Sequence, residues 1–352
     1  MNFVEHLIIG GGISGCLMAR HLSERQLDFK LIEAQSSLGG RIQSTVQGFD
    51  LGPTWFWPHQ QSVQSLLDEL SIESFDQYSQ GDYVYQQGPN SPINRGNDQQ
   101  PMLSHRVKGG MSAIITALQN SLPTNNILLN TPVKQINKNS KVWTVQLSDN
   151  ESLSCTHLWL AMPPRMIAPL FLAAQTRVLS KDLITQFETQ QTWMSAQAKF
   201  VAVYEKPFWR AAGLSGQGFS RVGPMVEMND ASGIDSDSPA AIFGFIGVPA
   251  LTRQSIDEQQ IIDACVAQLG KLFGAEALSP LSTHYEDWAS NTYISSPADI
   301  NEPSQHAHFD HSKFEAELHH LNLGLIGSEF SKSEPGYIAG AIEHVNDKAL
   351  NL

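Results

Sequence analysis

The chain has 352 residues, 41% of them hydrophobic, and a formal net charge of −13. That length exceeds one ordinary domain and suits two around a sizeable core. With this acidic balance, neither nucleic acid nor an anionic membrane surface is expected as a partner. Cys16, Cys155 and Cys265 are too scattered for a disulfide framework or a zinc knuckle. The most apolar stretches are 158–173, broken by Pro163, Pro164 and Arg165, and 240–251, too short to span a bilayer. The sequence opens almost directly on its first strand, with no room for a signal peptide. A soluble, cytoplasmic protein is expected.

Leu7-Ile8-Ile9 reads as a buried parallel strand. Gly10-x-Gly12-x-x-Gly15 follows at once: Gly10 for a tight turn, Gly12 for close backbone approach to a pyrophosphate, Gly15 for close helix–strand packing. Leu17, Met18, Ala19 and Leu22 fit an amphipathic helix whose N-terminus presents free N–H groups and a positive dipole end. Phe29 to Ile32 is a second strand, and Glu33 ends it, placed to accept hydrogen bonds from ribose hydroxyls. A carboxylate there repels a 2′-phosphate, which disfavours NADP. Strand, glycine turn, helix, strand and acid together read as a dinucleotide-binding unit.

Leu38-Gly39-Gly40-Arg41 comes next. The dinucleotide turn, the terminal acid and this GGR resemble the flavin amine oxidase superfamily: monoamine, polyamine and L-amino acid oxidases, with related desaturases and protoporphyrinogen oxidases. The resemblance implies an α/β fold. A Rossmann-like FAD-binding domain of the glutathione reductase/p-hydroxybenzoate hydroxylase type is interleaved with an α+β substrate domain on a mixed or antiparallel sheet. It implies FAD as cofactor, held by Gly10, Gly12, Ile13, Ser14, Gly15, Glu33, Ala34, Gly39, Gly40 and Arg41, the guanidinium fork matching phosphate oxygens.

Ile42 to Leu51 suggests a short hairpin, and Asp50 to Pro58 resembles the family's segment past the flavin ring. There Gly52 allows close approach to the isoalloxazine, Pro53 and Thr54 follow, and Trp55 or Trp57 stacks on the flavin or walls the pocket. Residues 59–80 are expected to be helical, with Val63, Leu66, Leu67 and Leu70 at helical spacing; 81–101 is a loop or hairpin. Monoamine oxidases carry a far longer helical insertion here, so the site is expected to be wider and wetter.

Gly109-Gly110-Met111 resembles the family's entry to a helix, here 112–122. The strand after it brings Val133, which pairs its backbone with adenine in the family. Val142 to Leu147 alternates as a half-exposed strand. Leu158 to Pro164 resembles the apolar strand ending in two prolines where the chain leaves the FAD domain. Ser195 to Tyr204, followed by Lys206-Pro207-Phe208-Trp209, resembles the strand whose lysine is bridged by water to flavin N5. Lys199 matches that lysine, and a lysine inside an apolar alternating strand is costly unless it serves something; the plain alternative is a side chain that snorkels to solvent.

Residues 241–248 form a buried strand, and 256–273 a helix with Ile261, Ile262, Cys265, Leu269 and Leu272 on one side. Trp288 is expected near the flavin. The neighbourhood of Ser295 to Ala298 has no cysteine to bond the flavin, so FAD is expected to be non-covalent, and one aromatic-cage tyrosine is absent. His306 to His311 spells HxHxDH, letters that suit zinc, but no partner motif supports it. It is read as a polar loop before a helix at 312–321, and no metal is expected. Leu323 to Glu329, then Pro335 to Glu343, resembles the family's C-terminal motif. It adds Gly327, Ser328, Glu329, Gly336, Tyr337 and Ile338 to the cofactor set. Pro335 is expected in the first helical turn, Tyr337 as the remaining cage tyrosine, and Gly340 at the flavin.

The expected division is 1–58, 102–165 and 283–352 for FAD, 59–101 and 166–282 for substrate. The implied activity is oxidation of a small-molecule amine, with Lys199 and Tyr337 as catalytic residues. A hydride passes to flavin N5 and O2 reoxidises the flavin to give H2O2. The alternatives are a desaturase or NAD(P)H-oxidising flavoprotein of the same fold, and a flavin-binding protein without turnover. The acidic surface serves solubility or draws in cationic amines. The sequence sets no oligomeric state.

Overall fold

The computed structural model describes residues 2–98, 102–174, 177–235, 238–306, 308–350 and 352. Two seven-stranded sheets carry the fold. In the first, Asn2–Ile9 lies between Phe29–Ile32 and Ser152–Leu160, parallel to both, and Ile127–Leu128 extends the parallel edge. Ser152–Leu160 is long enough to serve two partners on its other side. Its first half pairs antiparallel with Val142–Leu147, and Leu158 to Leu160 pair parallel with Leu323–Leu325.

Parallel strands covered on both faces must be apolar on both. Ile8 enters the core beneath helices Ile13–Glu24, Ser112–Asn120 and Ile338–Ala349. Leu7 and Ile9 enter the opposite core, closed by Pro164–Leu172, Lys181–Thr189 and His311–Leu321. The alternation read in Val142–Leu147 holds, with Trp143, Val145 and Leu147 buried.

The second sheet runs in the order 282–287, 198–204, 240–246, 225–230, 214–220, 82–86, 94–96. It is antiparallel except where Leu214–Ser220 meets Asp82–Gln86. All seven residues of Ala198–Tyr204 are buried. Phe200, Ala202 and Tyr204 pack towards helix Glu258–Phe273. Val201 and Val203 face Phe49, Leu51 and Trp55, where the second sheet meets the segment following the glycine turns. Lys199 shares that face by alternation.

Several local expectations are corrected. The helix expected over 59–80 is only Gln61–Glu69; Ser71 at φ +56° stops it, and Ser74–Asp76 pairs with His105–Val107. Val63, Leu66 and Leu67 of that helix lie in the core of the first sheet, not with the second. The short hairpin expected at 42–51 forms: Ser44 bridges antiparallel to Asp50, Thr45 N donates to Phe49 O and Leu51 N to Gln43 O, both at 2.8 Å. Residues 82–86 and 94–96 do form a hairpin pair, while 99–101 lie outside the described residues. Pro335 precedes the last helix, which starts at Ile338 with Tyr337 as its N-cap, because Gly336 takes φ +88°. Among the described residues no helix is long and apolar enough to cross a membrane.

Candidate active site

A cleft of about 630 Å³ runs from the glycine turn of the first sheet to the buried strand of the second. Its first end follows from backbone economy. Gly10 sits at φ +103°, and a Cβ there would lie 2.4 Å from the Ala161 carbonyl oxygen. Gly15, one turn on, packs on Gly10 itself, where a Cβ would come within 1.9 Å of its oxygen. Gly15 therefore shapes the turn without lining the cleft, whereas Gly10, Gly12, Ile13 and Ser14 line it.

Glu33 closes this end. One carboxylate oxygen accepts from Gly11 N at 2.6 Å, the other from Gln35 N at 2.9 Å. The side chain is buried yet still borders the cleft, with lone pairs left for hydroxyl donors. Ala34, Thr131 and Val133 line the same end.

In the middle lies Arg41. Its guanidinium donates to Trp193 O at 3.1 Å and Ser328 Oγ at 2.9 Å, and pairs with Glu329 at 2.8 Å. Glu329 is 1% exposed, so this pair is what keeps its charge tolerable. Gly39, Gly40, Gly327, Ser328 and Gly336 line the cleft around it. Gly52 lines it too, but the space its missing side chain leaves is filled by the Arg41 carbonyl, 1.9 Å from a would-be Cβ. Close pairing of two chain segments is thus a further reason for glycine here, beside the expected approach to a ring. Gly340 is corrected: it packs on the Glu334 carbonyl and does not line the cleft, which Ile338 and Ala341 do.

At the far end Lys199 Nζ donates to Gly52 O at 3.0 Å and to Thr54 Oγ1, 4.1 Å from the Phe243 ring centroid. Burial pulls its pKa from 10.5 down to about 7; Asp50 opposes that pull and Arg106 adds to it. Pro53, Thr54, Trp55, Trp57, Trp288, Phe245 and Tyr337 complete this end. Trp288 Nε1 donates to Leu51 O at 3.1 Å. Trp57 and Trp193 stand against Tyr337 at centroid distances of 5.8 and 6.2 Å. Burial, with Glu334 nearby, raises the Tyr337 hydroxyl pKa, so it is neutral across the physiological range.

Every predicted site residue except Gly15 and Gly340 therefore borders one continuous cleft. Trp193, Met166, Pro169 and Phe245 border it as well and carried no motif. Trp193 had one usable signal, a tryptophan in the polar run Gln190-Gln191-Thr192 just before the lysine strand. His306 of the HxHxDH stretch stacks on Trp193 at 3.7 Å. Ala307 of that stretch lies outside the described residues.

The donor set fits FAD along this length. There are backbone N–H groups at a helix N-terminus, an acid placed for ribose, an arginine midway, and an apolar end lined by aromatic side chains. A glycine-turn dinucleotide cleft that ends on a lysine-bearing buried strand defines a flavin-dependent oxidoreductase. Sequence comparison agrees. The family model for flavin containing amine oxidoreductase matches residues 93–344, and that for an NAD(P)-binding Rossmann-like domain matches 8–70. The chain belongs to the flavin-containing amine oxidoreductase family, and its cofactor is FAD.

The Dictyostelium discoideum protein named "Probable flavin-containing monoamine oxidase A" is 22% identical, aligned over 98% of each chain. Among solved structures, a putrescine oxidase bound to putrescine superposes with a TM-score of 0.82 at 18% identity, covering 99% of this chain and 98% of that one. Cyclohexylamine oxidase from Brevibacterium oxydans gives 0.82 at 19% identity, with 99% and 98% covered. At such identities the likeness carries the fold.

Proposed function

We propose that this enzyme oxidises the C–N bond of a small amine at the Lys199–Tyr337 end of the cleft, releasing an imine that hydrolyses to a carbonyl. One observation carries the reading. A lysine 2% exposed stands on a fully buried strand and opens onto the apolar end of a dinucleotide cleft. A scaffold gains nothing from that burial, whereas a proton-handling group near neutrality does.

FAD, when bound, supplies the two-electron acceptor for the hydride from the amine's α-carbon and the route onward to O2, giving H2O2. Gly10, Gly12 and the N-terminus of helix Ile13–Glu24 hold its phosphates, Glu33 its ribose, and Arg41 the stretch between. None of the three cysteines lines the cleft, and the cofactor is held without a covalent bond. Trp57, Trp193 and Tyr337 orient the amine and exclude water. Lys199 holds and exchanges a proton at Nζ. The first sheet is the FAD domain and the second the substrate domain. Helix Gln61–Glu69 and helices Pro164–Leu172 and Lys181–Thr189 belong to the former by packing.

The test is anaerobic mixing of the flavin-loaded protein with a panel of primary and secondary amines. Loss of the oxidised flavin's visible band with at least one amine is expected. Bleaching by NAD(P)H or a polyene, and by no amine, overturns the substrate assignment. Bleaching by dithionite alone overturns turnover itself.

A further inference from the structure

Behind Lys199 lies a second buried charge pair that no motif announces. Asp50 is 1% exposed and Arg106 is 2% exposed. Asp50 Oδ1 accepts from Met111 N and Ser44 Oγ, both at 2.7 Å, at the N-terminus of helix Ser112–Asn120. Its Oδ2 has no hydrogen-bond partner and faces Arg106 Nη2 at 3.8 Å. Arg106 Nε is likewise without a partner, and Nη1 reaches only the Asp230 and Ser232 carbonyls, at 3.4 and 3.5 Å. Two residues beyond Asp50, the Gly52 carbonyl holds Lys199 Nζ. Two dry cations, Lys199 and Arg106, thus lie about the dry Asp50 carboxylate, with the buried Asp230 carboxylate also acting on Arg106. Arginine does not give up its proton, so the adjustable group is the lysine.

We propose that Asp50 and Arg106 are positioning residues that set the charge on Lys199 in opposite senses, Asp50 holding it protonated and Arg106 driving it neutral. The inference rests on Lys199 working beside the bound flavin. Other charged groups lie near the lysine. Burial and the neighbouring Asp287 and Glu258 carboxylates push up the pKa of Glu286, which pairs with Lys199 across the edge strand. Asp230 takes Trp209 Nε1 and Arg210 Nε, both at 2.8 Å. Phe243 and Phe245 supply rings on the remaining side. Burial drags Lys199 down and Asp50 up, and the two act on each other, so loss of either charge shows in the other.

The flavin-loaded enzyme labelled with 13Cε-lysine provides the test, with the Lys199 signal assigned by its loss in Lys199→Met. Asp50→Asn should lower the Lys199 titration midpoint, and Arg106→Met should raise it, each by about one pH unit or more. Arg106→Lys should restore it. A merely structural role moves both midpoints the same way or neither, and either result overturns the proposal. If Asp50→Asn does not fold, Arg106→Met decides alone: a raised midpoint supports, an unmoved or lowered one overturns. The pH profile of turnover separates the two readings. Opposite midpoint shifts with a profile that follows them support both. Opposite shifts with an unchanged profile support the charge assignment and remove Lys199 from the chemistry.

Discussion

Replacing Lys199 with methionine should make the protein more stable and less active, and the size of the gain should depend on pH. Lys199 is buried, and its pKa falls from 10.5 unfolded to about 7 folded. That difference sets a ceiling of about 5 kcal/mol on what the lysine costs the fold. Methionine fills similar volume, leaves Asp50 paired with Arg106, and lets Thr54 keep its own hydrogen bond to Gly52 O. The gain should fall below that ceiling, because the substitution also gives up the Lys199 bond to Gly52 O.

Below pH 7 both states bind the proton, and the folded state bears the full cost. Between about pH 7 and 10.5 the folded lysine has released its proton while the unfolded one retains it. The wild type then gains about 1.4 kcal/mol per pH unit relative to the variant. Urea unfolding of the flavin-loaded proteins at pH 6.5 and pH 9 measures this. The gain in Lys199→Met should be largest at the lower pH and shrink at the higher. A destabilised variant, or a difference that does not change with pH, would show that burial does not depress the Lys199 pKa.

Three further outcomes follow from single contacts. Glu33→Gln should weaken FAD binding about 10–100-fold, read by recovery of flavin fluorescence on dilution, because the charged acceptor proposed for the ribose hydroxyls is worth about 1.5–3 kcal/mol. Arg41→Ala should destabilise by about 3 kcal/mol in urea by stranding the Glu329 carboxylate, and adding Glu329→Gln should restore part of that loss. His344, buried with its ring on Leu325 O, is pulled down to about 4. It stays neutral in the fold while the unfolded chain protonates near pH 6.5. Stability should therefore fall by about 3 kcal/mol between pH 6.5 and 4, and His344→Gln should flatten that limb of the acid-unfolding curve.

Local chemistry made half of the cleft readable before any coordinates. Gly10, Glu33 and Arg41 each answer a backbone or charge requirement within a few residues, and such requirements are written in short motifs. Lys199 was legible because a cation interrupts an apolar alternation. Trp193, Met166 and Phe245 were not, since they reach the cleft from segments whose local pattern says only helix, turn or buried strand. The Asp50–Arg106 pair was invisible for a related reason. Asp50 stands in an expected motif and Arg106 in a short strand, and only the packing of Phe56 on His105 and of Met111 on Asp50 brings them together. The misplaced helix ends, at Ser71 and at Pro335, came from reading apolar spacing and proline preference without the positive φ of Ser71 and Gly336 that governs both. Gly52 shows the converse: the right residue, with a further reason that only the Arg41 carbonyl reveals.

Whether this cleft turns over amines by way of FAD is decided by aerobic incubation of the flavin-loaded enzyme with the amine that bleaches it fastest, followed by quantification of all products. Equal amounts of carbonyl compound and H2O2, one of each per amine consumed, are expected. Flavin-loaded protein that consumes no amine, or consumes it without forming the matching carbonyl, would contradict the account.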